Sequence, residues 1–555
     1  MKKFFAKSIA LVERMWHSIS CSLPWLEISI SFLIATGVFS VFCHLWEISH
    51  SPLGLADESF YYYLIKNQEA SYGTSFTFYF NAIKDFSIAQ MRLVSYILRM
   101  TSWCLFNLSI CYLFRKRLSK RDLLLVLLAG IAYCSRTGIG FPSYITLSIF
   151  WGIVSIASFV FILSSSGLLN IIASLVCGIC CIQLLFDMLP SVPLIGIVFI
   201  SVLIASRKSL PWLVGGYILG LIAFFTLVQS PSDFYSSFIK TYYETRGADN
   251  HGVMLLILWS FETMELIFYR SFLPILALIA VLRCGKTSKF QQSFFLLFLI
   301  IPIGLRILFD LYRSYKSTAY PFGVDLIYLS FFFVIFFYHE WSKEFSFNEI
   351  IIVIVLSLSP IMLSFGTDVK FETRGEVFIN LVFFLTLLMV KTINKPNLNF
   401  LFSLLIFLCL LGYFLSFFAI SWASGSRFFS HTESLEDYGL DVTATPSQLN
   451  LIKNIDDYAH NKKYIVGGHD IWHIIVVLKK EPLSPVFRYA KKDLRDIFKE
   501  KSIKKDEIVF MEYTDLTEES SSNFAGWIDK YKEYFQAETI KRIAVSPEAN
   551  LVVFE

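Results

Sequence analysis

The chain has 555 residues, of which 55% are hydrophobic and only 17% charged, a balance that soluble globular domains of this size do not carry. A mean hydropathy of +0.60, gathered into runs near the roughly 20 residues that cross hydrocarbon as a helix, points to a polytopic membrane protein. The formal net charge of +4 gives no reason to expect nucleic acid as a partner.

The first residues alternate Lys2, Lys3, Lys7 and Arg14 with apolar groups, which suits an amphipathic helix on the cytoplasmic surface. The apolar segment that follows is too long and too far from the start for a cleaved signal peptide and reads as a retained span. In chain order the apolar runs predict about thirteen spans, with approximate limits 26–46, 94–114, 121–136, 143–164, 167–189, 191–206, 211–229, 262–283, 290–309, 323–339, 349–366, 377–393 and 398–420. The basic clusters Arg115-Lys116-Arg117, Lys120-Arg121, Arg207-Lys208, Arg283 with Lys286, and Lys391 with Lys395 all fall on one side. That side is the cytoplasm when the N-terminus is cytoplasmic, and an odd number of spans then puts 421–555 outside. The predicted organisation is a transmembrane domain over 1–420, with long outer loops at 47–93 and 230–253, and an extracytoplasmic α/β domain over 421–555.

The outer loops are rich in Arg, Lys and Tyr, where positive-inside statistics disfavour basic residues; an anionic lipid headgroup at the outer face gives them a reason. In the C-terminal region, Lys463–Val466, Ile474–Leu478, Ile508–Met511, Ile543–Val545 and Leu551–Phe554 are predicted strands. Ser447–His460, Lys491–Glu500 and Asn523–Phe535 are predicted helices. All ten cysteines precede Leu411, so no disulfide framework holds this region. Cys177, Cys180 and Cys181 sit among Ile, Leu and Gly and read as small, packable helix residues. His469 and His473, four apart beside Asp470, make a weak metal pair because a strand is predicted directly after them.

The chemistry-bearing feature is Asp57-Glu58 just beyond the first span, followed by Phe60-Tyr61-Tyr62-Tyr63. Acids in a first helical turn also serve as caps. Carboxylates at a membrane face can equally take a proton from a hydroxyl or hold a divalent cation, Mg or Mn. Lys84, Arg92, Arg246 and Arg374 are candidate phosphate-binding cations, since Arg offers phosphate a bidentate fork and Lys a point charge. Asp187 ranks low as a second carboxylate at the outer end of a span. Walker, GxGxxG and nucleophile-elbow motifs are absent.

The stretch Ala56-Asp57-Glu58-Ser59-Phe60-Tyr61-Tyr62 resembles the acidic motif in the first outer loop of GT-C glycosyltransferases, with the bacterial protein-mannosyltransferase-like and aminoarabinose-transferase-like group nearer in character. Met91-Arg92-Leu93-Val94-Ser95 resembles the family's Arg-Leu-x-Ser element, and Tyr243-Glu244-Thr245-Arg246 through His251 resembles part of its long mobile loop. Gly467 through Trp472 and Arg488-Tyr489 more loosely resemble its soluble strand–helix–strand pattern. Two departures stand out: Pro142-Ser143 replaces an expected Pro-Asp, and Ile83-Lys84-Asp85 lacks the usual Lys-Pro-Pro.

The resemblance implies an integral membrane enzyme of the bacterial inner membrane that takes a sugar from a polyprenyl-phosphate carrier, undecaprenyl phosphate in bacteria. The acceptor would be a surface glycan, lipid A or a protein. Asp57 is then the catalytic base, with Glu58 beside it. Lys84, Arg92, Arg246 and Arg374 bind the donor phosphate, and Tyr61, Tyr62 and His251 bind substrate. A transporter or flippase for an anionic lipid-linked glycan would use the same basic loops, and a membrane glycan polymerase would share much of the site. The paired repeats of many transporters are not found.

Overall fold

The structure is a computed structural model of the whole chain. The residues it describes are 35, 41–42, 45–46, 48, 50–54, 57–69, 75–115, 141–187, 191–237, 346–364, 432–467, 471–483, 494–513, 528–546 and 549–555. The helix predicted from position 57 is present as α1, Asp57–Asn67. A short helix α2, Phe76–Tyr79, and a 3-10 turn over Asn81–Ile83 follow. The next helix, α3, runs Ile88–Phe114 and starts on a capping box: Ser87 accepts from the Gln90 amide while the Gln90 side chain accepts from the Ser87 amide. That cap places the start six residues before the predicted 94.

The membrane helices come next: α4 Tyr144–Ser164, α5 Leu168–Asp187, α6 Val192–Ala205, α7 Leu210–Ala223 and α8 Phe347–Ser364. A π-helical turn, Phe224–Val228, continues α7. Among the described residues, four helical stretches are long and apolar enough to cross a membrane: Ile88–Leu113, Tyr144–Ser164, Leu168–Asp187 and Arg207–Val228. Val192–Ala205 and Phe347–Leu356 are shorter apolar helices. The predicted spans 121–136, 262–283, 290–309, 323–339, 377–393 and 398–420 lie outside the described residues, as does nearly all of 26–46.

Helices α4 and α5 form an antiparallel pair whose turn ends at Gly167, in the left-handed region at φ +67°. Helices α5 and α7 run parallel, and small residues let their backbones touch. A Cβ on Gly178 would sit 2.4 Å from the Leu213 carbonyl oxygen, and one on Gly216 2.4 Å from that of Leu175. This is the small-residue packing by which membrane helices associate without a hydrophobic driving force between them. Cys177, Cys180 and Cys181 are all buried. Cys177 Sγ donates to the Ser155 carbonyl of α4, in keeping with packing residues.

The C-terminal region opens with a two-stranded piece, β1 (Glu433–Ser434) and β2 (Thr443–Ala444), then helix α9, Pro446–Ala459. Strand β3, Tyr464–Val466, precedes helices α10, Trp472–Val477, and α11, Arg495–Glu500. Strands β4 (Ile508–Tyr513), β5 (Ile540–Ser546) and β6 (Ala549–Phe554) complete a four-stranded sheet in the order β3-β4-β6-β5. β3 and β4 pair in parallel and the other pairs are antiparallel. Helix α9 presents Leu449, Ile452 and Ile455 to the interior at helical spacing.

Ile474–Leu478, expected as a strand, is instead helix α10 and its end. All six residues of α10 are buried, and a short helix buried on every side reads as the same apolar run as a buried strand. The other four predicted strands and the predicted helix at 447–460 are present.

One hydrophobic core runs without a break from the first outer loop into this domain. It contains Phe60, Tyr61, Ile65, Phe76, Met91 and Phe141 together with Trp472, Ile475, Phe510 and Val552.

Candidate active site at the first outer loop

Helix α1 carries both acids in its first turn. Glu58 is fully committed within the protein. Its Oε1 accepts from Arg92 Nε at 2.6 Å, and its Oε2 accepts from Arg92 Nη2 at 2.8 Å and from the Gly54 amide at 2.7 Å. Arg92 lies one turn into α3, with its side chain only 1% exposed against 14% for Glu58. Its remaining donors reach the carbonyls of Ile48 and Ser51 from Nη1 and of Pro52 from Nη2, each at 3.1 Å. A guanidinium has five N–H donors, so none is left over. The bidentate pair is the strong arrangement for these groups. Here it ties α1, the segment at 48–54 and the start of α3 into one block.

Arg92, expected on the donor phosphate, spends every one of its donors on protein oxygens and anchors this block. Glu58, expected at the reacting centre or on a metal, neutralises that anchor, and both of its oxygens already accept N–H groups. Coordinating a divalent cation through Glu58 would compete with its Arg92 pair. Among the described residues no group of three or more His, Cys, Asp and Glu side chains comes together as a metal site. Asp57 is the first residue of α1, and its side chain lies outside what the structure describes.

Tyr61 and Tyr62, expected on substrate, are 9% and 7% exposed and pack in the core. The Tyr61 ring meets Phe76 at 5.4 Å and Tyr144 at 6.1 Å, both edge-on, and Tyr62 meets Phe141 at 6.4 Å. The Tyr62 hydroxyl accepts from Lys66 Nζ at 3.2 Å. Next along the helix, burial and the neighbouring Glu69 carboxylate raise the Tyr63 phenol above its ordinary range, which keeps it a proton donor to Glu69.

Lys84 stands exposed in the turn before α3. Arg246, His251 and Arg374 lie outside the described residues, as does His469. His473 is buried in α10.

One set of ends of the apolar helices closes around α1 and α2. Ser143, standing where an aspartate was expected, caps α4 by accepting from the Thr146 amide at 3.3 Å. Thr146 Oγ1 shares a hydrogen bond with Ser95 Oγ of α3 at 3.1 Å. Tyr79 of α2 donates to Gln183 of α5, and Gln183 donates to the Gly220 carbonyl of α7. Ser75 donates to Gln229 after the π turn at 2.9 Å. Asp187 is buried at the end of α5. Burial first, and then the Asp187 charge, raise the Tyr79 phenol.

The C-terminal domain completes the block. Leu53 N donates to the Thr443 carbonyl at 2.8 Å, Thr443 Oγ1 to the His50 carbonyl at 3.0 Å, and Gln448 Nε2 to the Leu53 carbonyl at 3.2 Å. Trp472 packs on Phe60 and Tyr63 with ring centroids 4.7 and 5.6 Å apart. Leu53, Thr443 and Gln448 were not singled out from the sequence, since no local spacing joins position 53 to 443.

No protein-family model and no curated protein matches this chain. Among solved structures it is similar to an Archaeoglobus fulgidus oligosaccharyltransferase in two crystal forms. The form in complex with Zn and sulfate gives 13% identity and a TM-score of 0.43, over 82% of this chain and 62% of that one. The apo form gives 13% identity and a TM-score of 0.46, over 90% and 71%. The chain thus spans less than two thirds of the first of these. At such scores neither likeness supports an argument about activity.

Proposed function

We propose that this chain is an outward-facing membrane glycosyltransferase of GT-C type, and that Asp57 is its general base. The single observation that supports this best is the division of the acidic pair. Glu58 is bound up with Arg92 and Gly54, which leaves Asp57 as the carboxylate of the pair for chemistry, on a helix held rigidly at the outer ends of the spans. The likeness of the Asp57-Glu58 stretch to the GT-C acidic motif supports the same role.

The Asp57 carboxylate takes the proton of an acceptor hydroxyl. The oxygen attacks the anomeric carbon of a polyprenyl-phosphate-linked sugar, the bond from that carbon to the phosphate oxygen breaks, and the electron pair leaves on the phosphate. Direct attack inverts the anomeric configuration. Lys84, Arg246 and Arg374 are the cations for the leaving phosphate, whose growing negative charge they stabilise, and His251 binds substrate. Arg92 acts through Glu58 as a positioning residue. The acceptor is a surface glycan, a lipid or a protein. Residues 1–420 form the membrane domain and 421–555 the outer domain, in a bacterial inner membrane with a cytoplasmic N-terminus.

Transfer from a polyprenyl-phosphate sugar by purified protein tests this. Asp57→Asn should lower turnover by about 10²-fold or more, the usual weight of a positioned base, with unchanged thermal unfolding. Wild-type-like turnover removes Asp57 from the role. A flippase or glycan polymerase would instead leave the sugar on its lipid or lengthen a lipid-linked chain, which thin-layer separation of the products distinguishes.

A further inference from the structure

Two sets of contacts from the C-terminal domain flank position 57 in the chain. Before it, Leu53 is bound on both sides of its backbone: its amide donates to the Thr443 carbonyl and its carbonyl accepts from Gln448. Thr443 also reaches the His50 carbonyl, and Pro52 and Thr443 form a parallel bridge. After it, Phe60 and Tyr63, one helical turn apart on the same face of α1, both rest against Trp472, which is fully buried. The seven residues before position 57 and the six after it thus contain these points where the C-terminal domain grips the membrane domain.

We infer that Trp472 and Gln448 are positioning residues: the outer domain clamps the segment leading into helix α1 at Leu53 and the helix itself at Phe60 and Tyr63, and so sets where the base presents its carboxylate. This rests on Asp57 acting as the base. A base must sit within hydrogen-bond reach of the proton it takes, and displacement by about 1 Å can cost two orders of magnitude in rate. A grip on either side of the residue limits that displacement.

The experiment uses the full chain in lipid nanodiscs and reads two quantities in each variant: steady-state transfer from a polyprenyl-phosphate sugar, and amide hydrogen exchange over 57–67. Trp472→Ala removes the face that Phe60 and Tyr63 pack on. Gln448→Glu cuts the donor to Leu53 but keeps an acceptor for the Thr445 amide, so the capping box of α9 survives and this variant tests the clamp without opening a cavity in the core. Trp472→Phe keeps an aromatic face and drops an indole N–H for which no hydrogen bond is found among the described residues.

Trp472→Ala and Gln448→Glu should each lower kcat about tenfold or more with donor KM within about twofold. They should speed exchange over 57–67 while leaving 144–164 as protected as in the wild type. Trp472→Phe should restore both quantities. Unchanged exchange over 57–67 in both disrupted variants overturns the clamp, whatever the activity. Faster exchange with unchanged kcat, in a protein that Asp57→Asn inactivates, overturns the positioning role. Full activity of Asp57→Asn overturns the base instead, and is read independently of the exchange.

Discussion

Arg92 illustrates how far a residue's role depends on what surrounds it. An arginine near the outer end of a span in a chain that handles anionic lipid invites assignment to the lipid's phosphate. Its five donors instead go to Glu58 and three carbonyls. Breaking a buried pair from one side leaves the other charge uncompensated, at a typical cost of about 3–5 kcal/mol. Glu58→Gln should therefore destabilise the protein by about that amount in detergent unfolding. Arg92→Lys should fare little better, because an ammonium offers three donors and no planar fork. If Glu58→Gln melts with the wild type, the pair is not the anchor described here. Glu58 and Arg92 could each be found in the sequence by charge and place. That they neutralise one another could not, because the 33 residues between them carry no periodic signal.

At the scale of elements, the membrane helices were legible from hydropathy, and the structure adds how they meet. Gly178 and Gly216 face each other across α5 and α7 with no room for a side chain, whereas Gly196 of α6 has nothing within 4 Å of where its Cβ would stand. Gly178→Ala and Gly216→Ala should each cost about 1–3 kcal/mol as the helices are pushed apart. Gly196→Ala should be neutral or better, since alanine is the stronger helix former. Thermal midpoints of the three variants in one detergent check this, and equal midpoints would rule out the close approach. The misread element, α10, fails for a related reason: an apolar run without period matches a buried helix and a buried strand equally well, and only its burial among α1 and the sheet decides between them.

At the scale of the whole molecule, the acidic pair, the capped starts of α3 and α4, the ends of α5 and α7, and the outer domain gather on one side, joined by the continuous core. The turn at 165–167 stands at the opposite end of α4 and α5. In a variant stripped of native cysteines, single cysteines at Lys84 and Lys505 should react with an impermeant maleimide from outside intact cells, and one at Ser166 only after permeabilisation. Labelling of position 84 only from the cytoplasm would reverse the topology and remove the proposed site.

The sequence by itself determined the apolar, membrane character of the chain, the helix at 57–67 and most of the C-terminal strands. These follow from hydropathy and local periodicity, both properties of neighbouring residues. Only the tertiary structure decided that Glu58 and Arg92 cancel each other, that Tyr61 and Tyr62 are core, and that Trp472, Thr443 and Gln448 hold the segment around Asp57. Those facts depend on contacts between positions up to some four hundred residues apart, where burial and hydrogen-bond satisfaction are set by the fold, and no local pattern in the chain encodes them.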